Sequence, residues 1–152
     1  MNTPKTEQMT NGLNVRINTH GNGLPEKASG GDWYDLKTAE DVYLSNGEIK
    51  IIPLGISLEI PEGYTAYVLP RSSTPLKHGI EMVNSMGVID NSYNGDGDVI
   101  GFIARALRDT FIEAGTRIAQ LGIYKSPESI NFICVESLGN KDRGGYGSTG
   151  TK

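Results

Sequence analysis

Five stretches of this chain carry polar residues that a β scaffold does not need. In Pro70-Arg71-Ser72-Ser73, Arg71 offers a planar fork suited to phosphate. Ser72, Ser73 and the backbone N–H groups of a short helix start complete an anion-binding combination. Read alone, the same tetrapeptide is a helix cap beside a surface Arg. In the stretch from Asn84 to Asp96, Asp90 follows an apolar pair and precedes a turn-forming cluster. A carboxylate held there could orient and deprotonate a water, and Tyr93 could present a flat wall to a sugar or base. The plainer alternative is an Asx-turn. Asp35 lies between Tyr34 and Leu36, so alternation turns its carboxylate away from both; alone it reads as an acceptor for backbone hydrogen bonds. Gln120 alternates with Ala119 and Leu121. It could bond a phosphate or a water, or simply face solvent. The tail Arg143-Gly144-Gly145-Tyr146-Gly147-Ser148-Thr149-Gly150 lets backbone N–H groups approach a phosphate chain, with Tyr146 able to stack on a base. It is not a Walker loop, because the lysine and the strand–helix context are missing.

Other candidates carry less. His20 and His78 stand far apart outside any ligand spacing and read as surface residues. Cys134 falls in the strand-like run Phe132–Val135 and is expected to be buried and inert. Asp96 and Asp98 resemble part of a calcium loop whose remaining ligands are absent.

The elements that must position these groups are mostly strands. Apolar residues at 54, 56, 58 and 60 alternate with a period of two. Pro61-Glu62-Gly63 makes a turn into a second run, Tyr64–Leu69. Ile118–Tyr124 and Ile130–Val135 read alike, Val15–Ile17 is a first strand, and Val42–Leu44 and Ile49–Ile52 flank the turn Ser45-Asn46-Gly47. One short helix is expected after Ser73: Ser73 or Thr74 caps it, Pro75 sits in its first turn and Gly79 ends it. Many short strands at turn-punctuated spacing imply an all-β sandwich or barrel.

Composition narrows the class. A chain of 152 residues fits one domain. Net charge −4 argues against a broad nucleic-acid surface. One Cys excludes an internal disulfide and a multi-cysteine zinc site, and suits a reducing compartment. The 20 Gly are roughly double the ordinary share of about 7% and disfavour a helical bundle. The N-terminus has no apolar signal region and no run approaches the ~20 residues of a spanning helix. A soluble, cytoplasmic protein is expected, its first dozen polar residues frayed.

In order and spacing, the five stretches resemble the motifs of the trimeric dUTPase family. The resemblance runs from about Gly31 to Gly150 and rests on Pro70–Ser73, Gly87–Asp90 with Tyr93-Asn94-Gly95, Arg117–Leu121 and Gly147–Gly150. Gly95–Thr110 with Ala106–Thr110 looks like the phage and prophage branch. The resemblance implies a jelly-roll-like β-barrel over residues 1–138, with 139–152 as a flexible C-terminal lid arm. It implies a homotrimer whose three sites each draw motifs from all three chains, soluble and without nucleic-acid or membrane partners. The implied reaction is hydrolysis of dUTP to dUMP and pyrophosphate.

Roles follow from the resemblance, residue by residue. Asp90 would activate water for attack on the α-phosphorus, and Tyr93 would pack under deoxyribose and exclude a 2′-OH. Asn84, beside Gly87 and nearby backbone groups, would read the uracil edge. Arg71, Ser72, Ser73 and Gln120 would contact the phosphates or the attacking water. Asp35 would hold Mg²⁺ through water ligands, as suits an ion that keeps its hydration. Tyr146 would stack on uracil as the tail closes, with Gly147, Ser148 and Thr149 on the phosphates.

Two details depart from the family pattern. Its tail places Arg five residues before the stacking aromatic; here Lys141 takes that offset and Arg143 stands three residues before Tyr146, so either could reach the γ-phosphate. The stretch from Asp96 to Ala104 is long for the link after the third motif, which makes Phe102 a rival lid to Tyr146. A dCTP deaminase of the same fold and a non-catalytic β-barrel are the competing readings.

Overall fold

The period-two pattern of residues 54–60 is realised as a strand edge that turns Leu54, Ile56, Leu58 and Ile60 into the core. A computed structural model describes residues 12–151. The expected fraying of the N-terminus falls mostly on residues 1–11, outside the described residues. Twelve strands and one helix are described: β1 (Arg16–Asn18), β2 (Glu26–Lys27), β3 (Tyr34–Lys37), β4 (Val42–Leu44), β5 (Ile49–Pro53), β6 (Ser57–Glu59), β7 (Tyr64–Pro70), α1 (Thr74–His78), β8 (Ile80–Met82), β9 (Gly87–Ile89), β10 (Gly101–Ala106), β11 (Thr110–Ile112) and β12 (Arg117–Lys125). No described helix is long and apolar enough to cross a membrane.

The strands pair antiparallel in four sheets, ordered β2-β3-β12-β7-β9, β5-β10-β8, β1-β6 and β11-β4. Their inner faces share one core, in which Phe102, Leu44, Ile52, Ile80, Ile118 and Val68 are fully buried. β4, β8 and β10 alternate inward and outward side chains, and the buried apolar residues of the sheets pack on each other in that core. The all-β expectation therefore holds, as does the single short helix.

β12 is the central strand, flanked by β3 and β7. Gly122 in β12 makes room for Trp33, since a Cβ there would come within 2.6 Å of the indole ring. The indole N–H donates to the Tyr124 hydroxyl at 2.8 Å, which ties the approach to β3 onto β12.

Two expectations from the sequence fail. Ile130–Val135 forms no strand and has no pairing partner among the described residues of its own chain. Its apolar side chains lie exposed, with Phe132 at 92%. Cys134 is likewise exposed rather than buried. Alternation measures suitability for a sheet, and no sheet among the described residues receives this segment.

Candidate active site

Register on the central sheet assembles the first half of the site. Gln120 of β12 stands opposite Asp35 of β3 on one side and Leu69 of β7 on the other. Directly opposed residues share a face, so Asp35 and Gln120 project together. β7 ends at Pro70, which delivers Arg71 to the same place. A register shift between Arg117 and Ala119 re-aims Arg117.

The Asp35 carboxylate is buried and takes two guanidinium groups. Arg71 Nε lies 3.1 Å from one oxygen and Arg117 Nη1 lies 3.3 Å from the other. Two positive groups around one carboxylate leave a local charge of +1, in a chain of net charge −4. Arg71 spends only Nε on this pair, so its terminal nitrogens remain to donate outward. Gln120 Nε2 donates to the Pro70 carbonyl at 3.1 Å, which holds the end of β7 and leaves the amide oxygen as an acceptor.

Thr74 fixes the turn that carries Arg71. It is fully buried; its hydroxyl donates to the Ile118 carbonyl at 2.7 Å and accepts the Arg71 N–H at 3.0 Å. Ser73 occupies the N-cap of α1 without a side-chain cap bond. Its hydroxyl is therefore not committed to the helix, and Ser72 beside it is exposed. Residue-type reasoning missed Arg117 and Thr74. Arg117 was visible only as the flank of a strand motif, and Thr74 only as an alternative cap.

The second half lies elsewhere. Asn84 sits exposed in the turn between β8 and β9, where its amide reaches the Met86 carbonyl at 3.4 Å. Gly87 opens β9 opposite Val68, and a Cβ there would crowd the Val68 side chain at 3.3 Å. Asp90 follows β9, and its backbone carbonyl accepts the Tyr93 N–H at 3.0 Å. The backbone, not the carboxylate, thus closes this turn, and the Asp90 side chain is exposed. Tyr93 is partly exposed, with its hydroxyl donating to the Val99 carbonyl at 3.2 Å.

Asp90 and Arg71 do not meet within one chain. Ile89 pairs with Ala66 and Gly87 with Val68, so the register carries Asp90 to the level of Thr65. Arg71 lies six residues further along the same strand direction, roughly 20 Å away at about 3.3 Å per residue.

The tail meets neither half. β12 is followed by Ser126, whose N–H bonds the Gly63 carbonyl at 2.8 Å, and every described residue beyond it is exposed. Lys141, Arg143, Tyr146, Gly147, Ser148 and Thr149 form no hydrogen bond or ion pair with Asp35, Arg71 or Asp90 among the described residues. Tyr146 stands free of any packing, in a left-handed conformation with φ 52°. Phe102 is not a rival lid: it is wholly buried on β10, opposite Ile52. His78 is also not a plain surface residue. It is half-buried, and burial lowers its pKa below 6.5, with Lys77, Arg71 and Arg108 adding charge repulsion.

For a metal, the described residues hold no group of three or more His, Cys, Asp or Glu side chains. Asp35 already faces two guanidinium groups. An ionised carboxylate keeps further lone pairs, so Asp35 fits an ion held through water and does not fit direct ligation.

An all-β fold that carries two arginines around a buried carboxylate and a separate exposed Asp–Tyr turn suits an anionic substrate. The dUTPase family model matches residues 22–151. The chain is 55% identical over 126 residues to the SPbeta prophage-derived deoxyuridine 5'-triphosphate nucleotidohydrolase YosS of Bacillus subtilis (strain 168), covering 83% of this chain and 89% of that protein. Among solved structures it resembles the dUTPase of Staphylococcus bacteriophage 80alpha with dUPNHPP, at TM-score 0.74 and 26% identity, covering 93% of this chain and 100% of that one. The Streptococcus mutans dUTPase follows at TM-score 0.65 and 28% identity, over 82% and 100%. The chain belongs to the dUTPase family. Its fold is the dUTPase jelly roll, and its likeness lies with the phage and prophage enzymes.

Proposed function

We propose that this protein hydrolyses dUTP to dUMP and pyrophosphate in sites shared between the subunits of a homotrimer. The observation that carries the reading is the separation of Asp90 from Arg71 along β7. Groups that must act on one triphosphate stand farther apart than it can bridge, so a complete site needs Asp90 from one copy and the Asp35–Arg71–Arg117 cluster from another. The third copy supplies the tail. The exposed apolar segment from Ile130 to Leu138 supports assembly, because such a surface is stabilised when another copy covers it.

Chemistry follows from the placement. The Asp90 carboxylate accepts a proton from water as the water oxygen attacks the α-phosphorus; the bond to the bridging oxygen breaks and pyrophosphate leaves. Arg71, with Ser72, Ser73 and Gln120, binds the phosphates. Tyr93 packs beneath deoxyribose and Asn84 with Gly87 reads the base edge. Asp35 would hold Mg²⁺ through water ligands, and the ion would supply charge that offsets the triphosphate. Tyr146, with Lys141, Arg143, Gly147, Ser148 and Thr149, closes over the bound nucleotide and excludes water.

The test is pyrophosphate release from dUTP, dCTP, dTTP and UTP, with and without Mg²⁺. Release from dUTP alone is expected, and ammonia from dCTP would overturn the reading in favour of a deaminase. Asp90→Asn should lower kcat about 10²–10⁴-fold, the usual contribution of a general base, while a non-hydrolysable imido analogue still binds. Coexpressing Asp90→Asn with Arg71→Ala chains should restore activity that neither variant has alone. Absence of complementation would place the whole site in one chain.

A further inference from the structure

The loop that carries Tyr93 is pinned at Asp96 by a cross-strand pair outside the five motifs. Asn18 of β1 and Ser57 of β6 stand directly opposite each other, and both grip Asp96. Asn18 Nδ2 donates to the Asp96 carboxylate at 2.8 Å, and the buried Ser57 hydroxyl donates to the Asp96 carbonyl at 2.8 Å. His20 sets both donors. Its backbone N–H donates to Asn18 Oδ1 at 3.0 Å, which leaves the Asn18 amide nitrogen for Asp96. Its ring Nε2 lies 2.9 Å from Ser57 Oγ. Since that hydroxyl is already donated to Asp96, the ring supplies the proton of this bond. His20 adopts φ 46°, a left-handed conformation that a non-glycine residue keeps where its surroundings demand it.

A second tie holds the other end of the loop, where Asn91 Nδ2 donates to the Ile60 carbonyl. Tyr93 lies between the two ties. Its own hydroxyl bond to Val99 and the Gly95 N–H bond to Asp98 lie within the loop and do not anchor it to the sheets. Past Val99 the loop rejoins the sheets at Ile100, whose N–H donates to the Ile56 carbonyl and whose carbonyl accepts the Leu54 N–H, so Asp96 and Asn91 are the ties that hold the stretch before it, on which Tyr93 stands.

We infer that Asn18, Ser57 and His20 are positioning residues for sugar selection: through Asp96 they hold Tyr93 at the height where a 2′-OH does not fit. The inference rests on the proposed role of Tyr93 in dUTP hydrolysis. The readout is the ratio of kcat/KM for dUTP to that for UTP, in trimers verified by mass and by melting temperature. Asn18→Asp keeps the side-chain shape and the bond from the His20 N–H, but sets a carboxylate against Asp96. It should narrow the ratio about tenfold, the scale of one hydrogen bond to a charged group. Combining Asn18→Asp with Asp96→Asn reverses donor and acceptor and should restore the wild-type ratio. A purely structural role would lower the melting temperature and slow both nucleotides alike, leaving the ratio where it was. An unchanged ratio in folded Asn18→Asp, or a narrowed ratio that the paired change leaves narrowed, overturns the inference. Should Asn18→Asp fail to fold, Ser57→Ala removes the hydroxyl bond to the Asp96 carbonyl by one oxygen, and an unchanged ratio there overturns it equally. Tyr93→Ala separates the two levels. If it leaves the ratio intact, the role of Tyr93 itself is wrong; if it narrows the ratio and the Asp96 variants do not, only the positioning inference fails.

Discussion

Asp35 joins two strands and a turn through one carboxylate. Its oxygens are divided between Arg71 and Arg117, so it orients both guanidinium groups, including the one proposed to bind the phosphates, and offsets one of their two charges. Asp35→Asn should leave two guanidinium groups facing each other without their anion. Because both Arg side chains are partly exposed, the cost should be on the order of 1–3 kcal/mol rather than that of a deeply buried pair. Thermal unfolding would show it as a lower Tm, and KM for dUTP should rise together with it as Arg71 loosens. An unchanged Tm would mean that the two Arg side chains find other partners. Asp35 itself was legible in the sequence, since a carboxylate between Tyr34 and Leu36 stands out. Its partner Arg117 was not, because the register shift that aims it exists only once β3 and β12 are paired.

At the scale of elements, α1 is five residues long and survives through its ends. Gly79 closes it at φ 63° and donates to the Pro75 carbonyl, and a Cβ at that position would strike Arg108 at 2.8 Å. Arg108 in turn donates to the Leu76 and Lys77 carbonyls, each at 3.2 Å. His78 sits in this last turn with its pKa held below 6.5, chiefly by burial and then by Lys77, Arg71 and Arg108. Just below pH 6.5 the unfolded chain therefore binds a proton that the folded chain does not. Stability must fall as pH drops through 6.5, and the loss ends below the folded pKa. Between about pH 7.5 and pH 5.5 the Tm of the wild type should fall more than that of His78→Gln. Parallel curves would show that another group carries the dependence. Pro75 and Gly79 announced this helix in the sequence; the burial of His78 depended on β11 and Arg108 packing against it, which no local pattern records.

At the scale of the whole molecule, the chain beyond Ser126 is a body part without a body. Phe132, Ile133, Val135 and Leu138 are exposed, and covering each large apolar side chain is worth about 1.5–3 kcal/mol. Two truncations separate the roles of this arm. Under the proposed assembly, ending the chain after Leu138 should keep the trimer while hydrolysis falls severely, since only the proposed lid residues are lost. Ending it after Ser126 should also abolish the trimer. Light scattering and pyrophosphate release together give both readouts. Full activity of the shorter deletion would refute the lid, and a stable trimer of the longer one would refute the assembly role of Ile130–Leu138.

Local chemistry was the part written in the sequence alone: the period-two strands, the helix bounded by Pro75 and Gly79, and the five polar stretches. Each depends on neighbours within a few residues, where alternation, φ preference and side-chain type act directly. The tertiary structure decided everything that depends on register. It buried Phe102 in the sheet, paired Asp35 with Arg117, set Asp90 at the far end of β7 from Arg71, and left Cys134 and its strand-like flank in solvent. Burial and distance are set by which strands lie side by side and by the pairing between them, and the same alternation is compatible with many pairings until the whole sheet has formed.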